Sequence, residues 1–159
     1  MTIKSGELIH ATAVLVGDRG VLITGASGSG KSSVANALAD RASARGVFAS
    51  LVCDDQCLLQ EVSGRLICTA PETLRGGIEV RGAGLFEMNH DAQATIHLVV
   101  QLVTSEHAIR FSENTVLQLQ GVAIAQLILP SREVEAVCRA IEAKLFWQQW
   151  KNLASDSNG

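Results

Sequence analysis

The chain has 159 residues and no tyrosine, two tryptophans, four phenylalanines and two prolines, so aromatics make up only 4%. Proteins that grip single-stranded nucleic acid stack bases on aromatic rings, and few are on offer here. A basic surplus is missing too: 13 Lys+Arg stand against 16 Asp+Glu, a net charge of −3. Nucleic-acid binding is therefore not expected, because affinity for the phosphate backbone comes from clustered Lys and Arg. Mean hydropathy is high at +0.23, yet no apolar run reaches the ~18 residues of a membrane helix. The greasiest stretch, Ile96–Val103, is broken by His97 and Gln101. The opening MTIKSGELIH has no apolar signal-peptide core, which points to a cytoplasmic protein with no membrane partner. The four cysteines, Cys53, Cys57, Cys68 and Cys138, lack a paired CxxC spacing and a matching His/Cys pair at zinc-finger distance. Reduced, buried thiols are expected.

What is present reads as one domain over residues 1–151 followed by a polar tail, Asn152–Gly159. The short β-branched runs Thr12–Val16 and Val21–Thr24 flank a turn, Gly17-Asp18-Arg19-Gly20, and predict a hairpin-like pair. Apolar residues at 34, 35, 38, 39 and 42 predict an amphipathic helix over Lys31–Arg45, stopped by Gly46. Val47–Cys53 reads as a buried strand that ends in Asp54-Asp55. Residues 56–90 read as short strands and glycine-rich loops, with further strands at Thr95–Val103 and at Val116–Leu129, the latter interrupted at Gly121. A second helix follows Pro130, with Ser131 as its N-cap and Val134, Val137, Cys138, Ile141 and Leu145 as its core stripe. The alternation gives an α/β fold.

One motif carries chemistry on its own. Gly25-Ala26-Ser27-Gly28-Ser29-Gly30-Lys31-Ser32 matches G-x-x-x-x-G-K-[ST] in full, between a predicted strand and a predicted helix. Its glycines let backbone N–H groups turn inward around phosphate oxygens, and the helix start adds a positive dipole end. Lys31 reaches the β- and γ-phosphates, and the Ser32 hydroxyl ligates Mg²⁺. Asp54-Asp55 falls at a strand end, where ligands of α/β sheets bind; a carboxylate there ligates Mg²⁺ or accepts a proton from an attacking hydroxyl. Glu79-Val80-Arg81-Gly82-Ala83-Gly84 is a second polar candidate: with Ile78 and Val80 facing the core, Glu79 and Arg81 share the other face. No Asn-Lys-x-Asp run for reading guanine is present. A phosphate loop alone does not separate switch, motor and kinase, and a small-molecule kinase on this scaffold or a non-catalytic nucleotide sensor stays open as an alternative to any protein kinase.

His10 opening the first strand, the loop GASGSGKS, Asp54-Asp55, and IEVRGAGLFE at residues 78–87 together resemble the catalytic domain of the HPr kinase/phosphorylase family. The last resembles that family's glutamate–hydrophobe–Arg-Gly-x-Gly signature, and the match runs in order over about residues 10–110. The resemblance implies a phosphate-loop α/β fold around a central mixed sheet, of the HPr kinase and PEP carboxykinase-like type. It implies an ATP- and Mg²⁺-dependent enzyme that phosphorylates a serine of the phosphocarrier HPr, regulating the phosphotransferase system, as a homo-oligomer and typically a hexamer. Asp55 is then the proton acceptor for that serine and the donor in the reverse reaction, with His10 beside it. Lys31 and the loop Gly25–Ser32 hold ATP, Ser32 and Glu79 ligate Mg²⁺, and Arg110 falls where the family has a catalytic arginine. The family's N-terminal domain has no counterpart in the 159 residues, and its loop tied to phosphorolysis is reduced near Pro130-Ser131-Arg132.

Overall fold

The structure is a computed structural model that describes residues 6–111 and 115–150; the tail read at 152–159 lies outside them. In chain order the elements are β1 (Glu7–Ile9), β2 (Ala11–Val16), β3 (Arg19–Gly25), α1 (Lys31–Ala44), β4 (Ala49–Cys53), β5 (Cys57–Val62), β6 (Arg65–Thr69), β7 (Gly77–Val80), β8 (Gly84–Glu87), β9 (Gln93–Val103), β10 (Val116–Leu119), β11 (Val122–Pro130) and α2 (Val134–Phe146). β9 is the spine. Its first residues pair antiparallel with β6, and the rest pairs in parallel with both β3 and β11. On the β3 side the sheet continues through antiparallel β2 and β4; on the other it ends in the β10–β11 hairpin. β1, β5 and β6 form the antiparallel remainder.

The strand period of two sorts side chains into two cores. Val21, Ile23, Leu98, Val100 and Leu127 point to one face, where Val34, Ala35 and Leu38 of α1 and Val137, Cys138 and Ile141 of α2 cover them. Leu22, Val99, Val52 and Ile124 point to the other, closed by Leu59, Leu66 and Cys68 of the β5–β6 hairpin. The helices are also joined by charge: Glu142 of α2, 5% exposed, accepts Arg41 Nε at 2.8 Å and Arg45 Nη1 at 3.0 Å. Glu142 thereby holds the Arg41 guanidinium above its ordinary pKa.

The mixed central sheet and the hairpin agree with the sequence reading. Three details differ. β4 begins at Ala49, leaving Val47 and Phe48 exposed, because Gly46 and Val47 are occupied in closing α1 through their N–H groups. Ser131 does not cap α2; its N–H donates to Val103 O, which extends the β9–β11 ladder, and Glu133 takes the cap position instead. The expectation of four reduced thiols is corrected as well, since Cys53 and Cys57 are joined in a disulfide while Cys68 and Cys138 are free and buried. The turn between β4 and β5 brings the two cysteines together across four positions, a closeness their spacing alone does not reveal.

Candidate active site

β3 ends at Gly25, and five residues hand the chain to α1 at Lys31. Gly28 and Gly30 take φ of 80° and 102°, in the left-handed region that favours glycine, and this folds the loop back on itself. No side chain caps α1, so its first N–H groups are turned toward the loop as an anion cradle. Lys31, only 7% exposed, donates from Nζ to Gly25 O at 2.9 Å and Ala26 O at 3.1 Å. The ammonium is held against the loop by these two carbonyls. Ser29 Oγ is buried with no hydrogen-bond partner among the described residues.

Asp54 reaches this loop because of a β-bulge. Ala13 pairs with Cys53 but Val14 with Leu51, leaving Val52 extra. The inserted residue shifts the strand's phase, so Cys53 joins the core behind the sheet and Asp54 emerges on the loop side. There Asp54 Oδ1 accepts the Ser32 hydroxyl at 2.6 Å and the Thr12 hydroxyl at 2.8 Å, while Oδ2 accepts the Glu79 backbone N–H at 3.0 Å. One carboxylate thus ties the loop–helix junction to β2 and β7. The next residue, Asp55, has φ 70° and stands 3.0 Å, Oδ1 to Nδ1, from His10, with both side chains more than half exposed.

The cleft they bound has a volume of about 270 Å³ and is lined by His10, Lys31, Ser32, Asp54, Asp55, Glu79 and Arg81 among others. The structure therefore brings His10, Lys31, Ser32, Asp55 and Glu79 together. It does not bring Arg110, which is exposed and follows Ile109, whose N–H donates to Ile128 O on β11. With β9 between β11 and β3, Arg110 does not line the cleft. The expected facing of β7 holds for Ile78, which is buried, and not for Val80, 37% exposed, because among the described residues the β7–β8 hairpin pairs with no other strand. Sequence reasoning placed Asp54 in the acidic turn without dividing its part from that of Asp55, and it gave no role to the side chains of Thr12 or Arg132. Arg132 has φ 66°, donates its N–H to Ser29 O at 3.0 Å and lays its guanidinium along the loop. A contact between residues more than 100 positions apart carries no local signal.

Three carboxylates face Lys31 and Arg81 here, and the Ser32 hydroxyl with the Asp54 and Glu79 carboxylates forms an all-oxygen donor set of the kind a hard divalent cation takes. A larger cavity of about 650 Å³, containing Arg65 and His97, lies at the opposite end of β3. Burial lowers the pKa of His97 there, and its Nδ1 accepts the Gly20 N–H at 3.1 Å.

Strand, glycine loop, helix and a neighbouring acidic strand end define a phosphate-loop α/β protein with a nucleotide-type cleft. Comparison with known proteins agrees with that class and narrows it. The HPr serine kinase C-terminal domain model matches residues 2–158, and the chain belongs to that family. HPr kinase/phosphorylase from Caldicellulosiruptor bescii is 31% identical over 135 residues, covering 77% of this chain and 42% of that protein. The one from Clostridium novyi is 31% identical over 146 residues, covering 85% and 46%. The chain thus spans less than half the length of these relatives. The solved structure of the Hpr(Ser) kinase/phosphatase from Coxiella burnetii superposes with a TM-score of 0.74 at 26% identity, covering 96% of each chain.

Proposed function

We propose that this protein is an ATP- and Mg²⁺-dependent serine kinase whose acceptor is an HPr-like phosphocarrier protein, and that it acts in control of the phosphotransferase system. The observation that carries the reading is the His10–Asp55 pair standing in the same cleft as the Lys31 loop. A carboxylate exposed to an incoming protein, beside a cradle for the γ-phosphate, is what transfer to a hydroxyl requires.

The loop N–H groups and the start of α1 bind the phosphates, and Lys31 leaves its carbonyl partners to neutralise charge developing on the transferred group. The acceptor serine lies between Asp55 and the γ-phosphate, and Asp55 takes its proton as the oxygen attacks in line. His10, hydrogen-bonded to Asp55 Oδ1, orients that carboxylate. Ser32, Glu79 and Asp54 would hold Mg²⁺, which when bound offsets the negative charge of the β- and γ-phosphates. Water is excluded by the docked protein itself, since the cleft is open on the Asp55 side. A homo-oligomer belongs to the same reading, with Leu85, Trp147 and Trp150 as large apolar side chains more than half exposed.

The test is to incubate the protein with Mg-ATP and purified HPr and to map phosphoserine by mass spectrometry. Phosphoserine on HPr supports the proposal. ATP turnover only with small hydroxylated acceptors refutes the protein-kinase reading, and ATP binding with no transfer to any acceptor refutes catalysis altogether.

A further inference from the structure

The cysteines that bracket the acidic turn have no part in the proposed transfer. Cys53 ends β4 and Cys57 begins β5, so their disulfide encloses only Asp54, Asp55 and Gln56. Three sulfurs, those of Cys53, Cys57 and Cys68, lie within 4.8 Å of one another, and all three residues are at most 1% exposed. Such a cluster resembles a thiolate metal site, but two of the sulfurs are spent on each other and one thiol remains. Burial pushes that remaining thiol, Cys68, up to about 12 and keeps it protonated.

We propose that Cys53 and Cys57 form a reversible thiol–disulfide site that sets the geometry of the Asp54–Asp55 turn. Three observations support it. First, the bond closes a short loop and stabilises the whole fold less than a long-range bond would, since a disulfide's effect on the unfolded chain grows with loop length. β4 and β5 are already held by β2 and by β1 and β6. Second, both sulfurs have partners waiting in the reduced state. Cys57 Sγ lies 3.3 Å from Ala11 O, where its thiol donates, and Cys53 Sγ lies 3.6 Å from Cys68 Sγ. Breaking the bond therefore strands no polar group in the core. Third, the bond fixes both sides of the His10–Asp55 pair. Cys57 is the register partner of Ile9, next to His10, and the enclosed Asp55 sits at φ 70°, in the left-handed region that Asp adopts in tight turns and that the short closed loop favours.

The chemistry balances with a peroxide as oxidant and a dithiol as reductant. One thiol, reached as the exposed Asp55-Gln56 segment opens, releases its proton and attacks a peroxide oxygen; the departing hydroxide takes that proton, leaving a sulfenic acid and water. The second thiol attacks that sulfur, the S–S bond forms, and a second water leaves. Two thiols lose two electrons and hydrogen peroxide becomes two waters. A dithiol reverses the bond by exchange through a mixed disulfide, reaching the sulfurs as the exposed Asp55-Gln56 segment opens. In the oxidised state the turn is held as described. In the reduced state it samples extended backbone, and Asp55 spends less time against His10. The effect on turnover rests on Asp55 being the proton acceptor; the effect on the turn does not.

The experiment uses the full chain, treated with hydrogen peroxide or with a dithiol and then desalted. Alkylation under denaturing conditions is expected to count two free thiols, Cys68 and Cys138, after peroxide, and four after the dithiol. Amide hydrogen exchange of residues 54–56 is expected to accelerate on reduction while β9 stays protected. kcat for phosphoryl transfer to HPr is expected to fall roughly three- to tenfold on reduction, with KM for ATP unchanged. Cys57→Ser is expected to stay at the reduced value in peroxide, and the wild-type comparison stands even if that variant folds poorly. Four alkylatable thiols after peroxide, or a formed disulfide with unchanged exchange in the turn, overturns the proposal. Redox-dependent exchange with no kinase activity in either state upholds the thiol site and refutes the kinase reading instead.

Discussion

Replacing Asp54 by Asn changes one atom and tests how the site is assembled. In the native protein this carboxylate accepts three hydrogen bonds, from Ser32, Thr12 and the Glu79 N–H. The amide can satisfy the same partners by turning its nitrogen to the two hydroxyls, which accept as readily as they donate, and its oxygen to Glu79. Every bond survives, but each becomes neutral rather than charge-assisted, a loss of about 1 kcal/mol apiece. Against some 3 kcal/mol stands relief from the neighbouring Asp55 and Glu79 charges and the partial exposure of Asp54, leaving a cost of about 2 kcal/mol. For a chain of this length that lowers Tm by about 4–8 °C, readable by far-ultraviolet circular dichroism. Thr12→Val removes one of the three donors outright and is expected to cost about 1–2 kcal/mol. Turnover of Asp54→Asn is expected to fall more than about tenfold, because the bonds that align Ser32 and Glu79 weaken and the cleft loses one of the carboxylates that would hold Mg²⁺. A variant that melts within about 1 °C of wild type and turns over normally refutes the claim that Asp54 organises the site.

Glu142→Ala removes a carboxylate that is 5% exposed and binds both Arg41 and Arg45. Because those guanidiniums can reach water, a loss of about 2–3 kcal/mol is expected rather than the full penalty of a fully buried pair, seen by calorimetry. His97→Gln tests the pH dependence. Burial holds His97 below its ordinary value of 6.5, so the unfolded chain binds the proton first as pH falls. The stability of neutral His97 is intact above that value and is lost as pH drops through the folded pKa, so the variant is expected to show a shallower acid loss of Tm. Lys31→Ala is expected to abolish ATP binding by calorimetric titration while the fold persists, since among the described residues the Lys31 ammonium hydrogen-bonds to the loop carbonyls Gly25 O and Ala26 O rather than to another element.

Much of the fold was legible because its signals are local. The glycine loop between β3 and α1, the 34/35/38/39/42 stripe, of which all but Ala39 is buried, and the break at Gly121 each follow from residue spacing. The acidic turn was legible as a place but not as a division of labour. Strand alternation allowed only one of Asp54 and Asp55 to face the loop, and the bulge at Val52 decides that Asp54 binds Ser32 while Asp55 turns to His10. A register shift between β2 and β4 is a tertiary event with no composition signal. The disulfide escaped for the same reason, since the spacing of Cys53 and Cys57 suits a strand end and a strand start as well as a bond. The Arg132 contact with the loop was beyond reach because it spans the chain, and Arg110 was placed by family likeness where this structure puts the outer side of β11.

The most direct test of the account compares wild type with Asp55→Asn in forming phosphoserine on HPr at saturating Mg-ATP. Asn keeps the size and a hydrogen-bonding oxygen for His10 but cannot accept the serine proton. The expected result is a loss of about 10²–10⁴-fold in kcat with ATP affinity retained. Phosphoserine formed at the wild-type rate by Asp55→Asn contradicts the assignment of Asp55 as the base, and no phosphoserine from the wild-type protein contradicts the function.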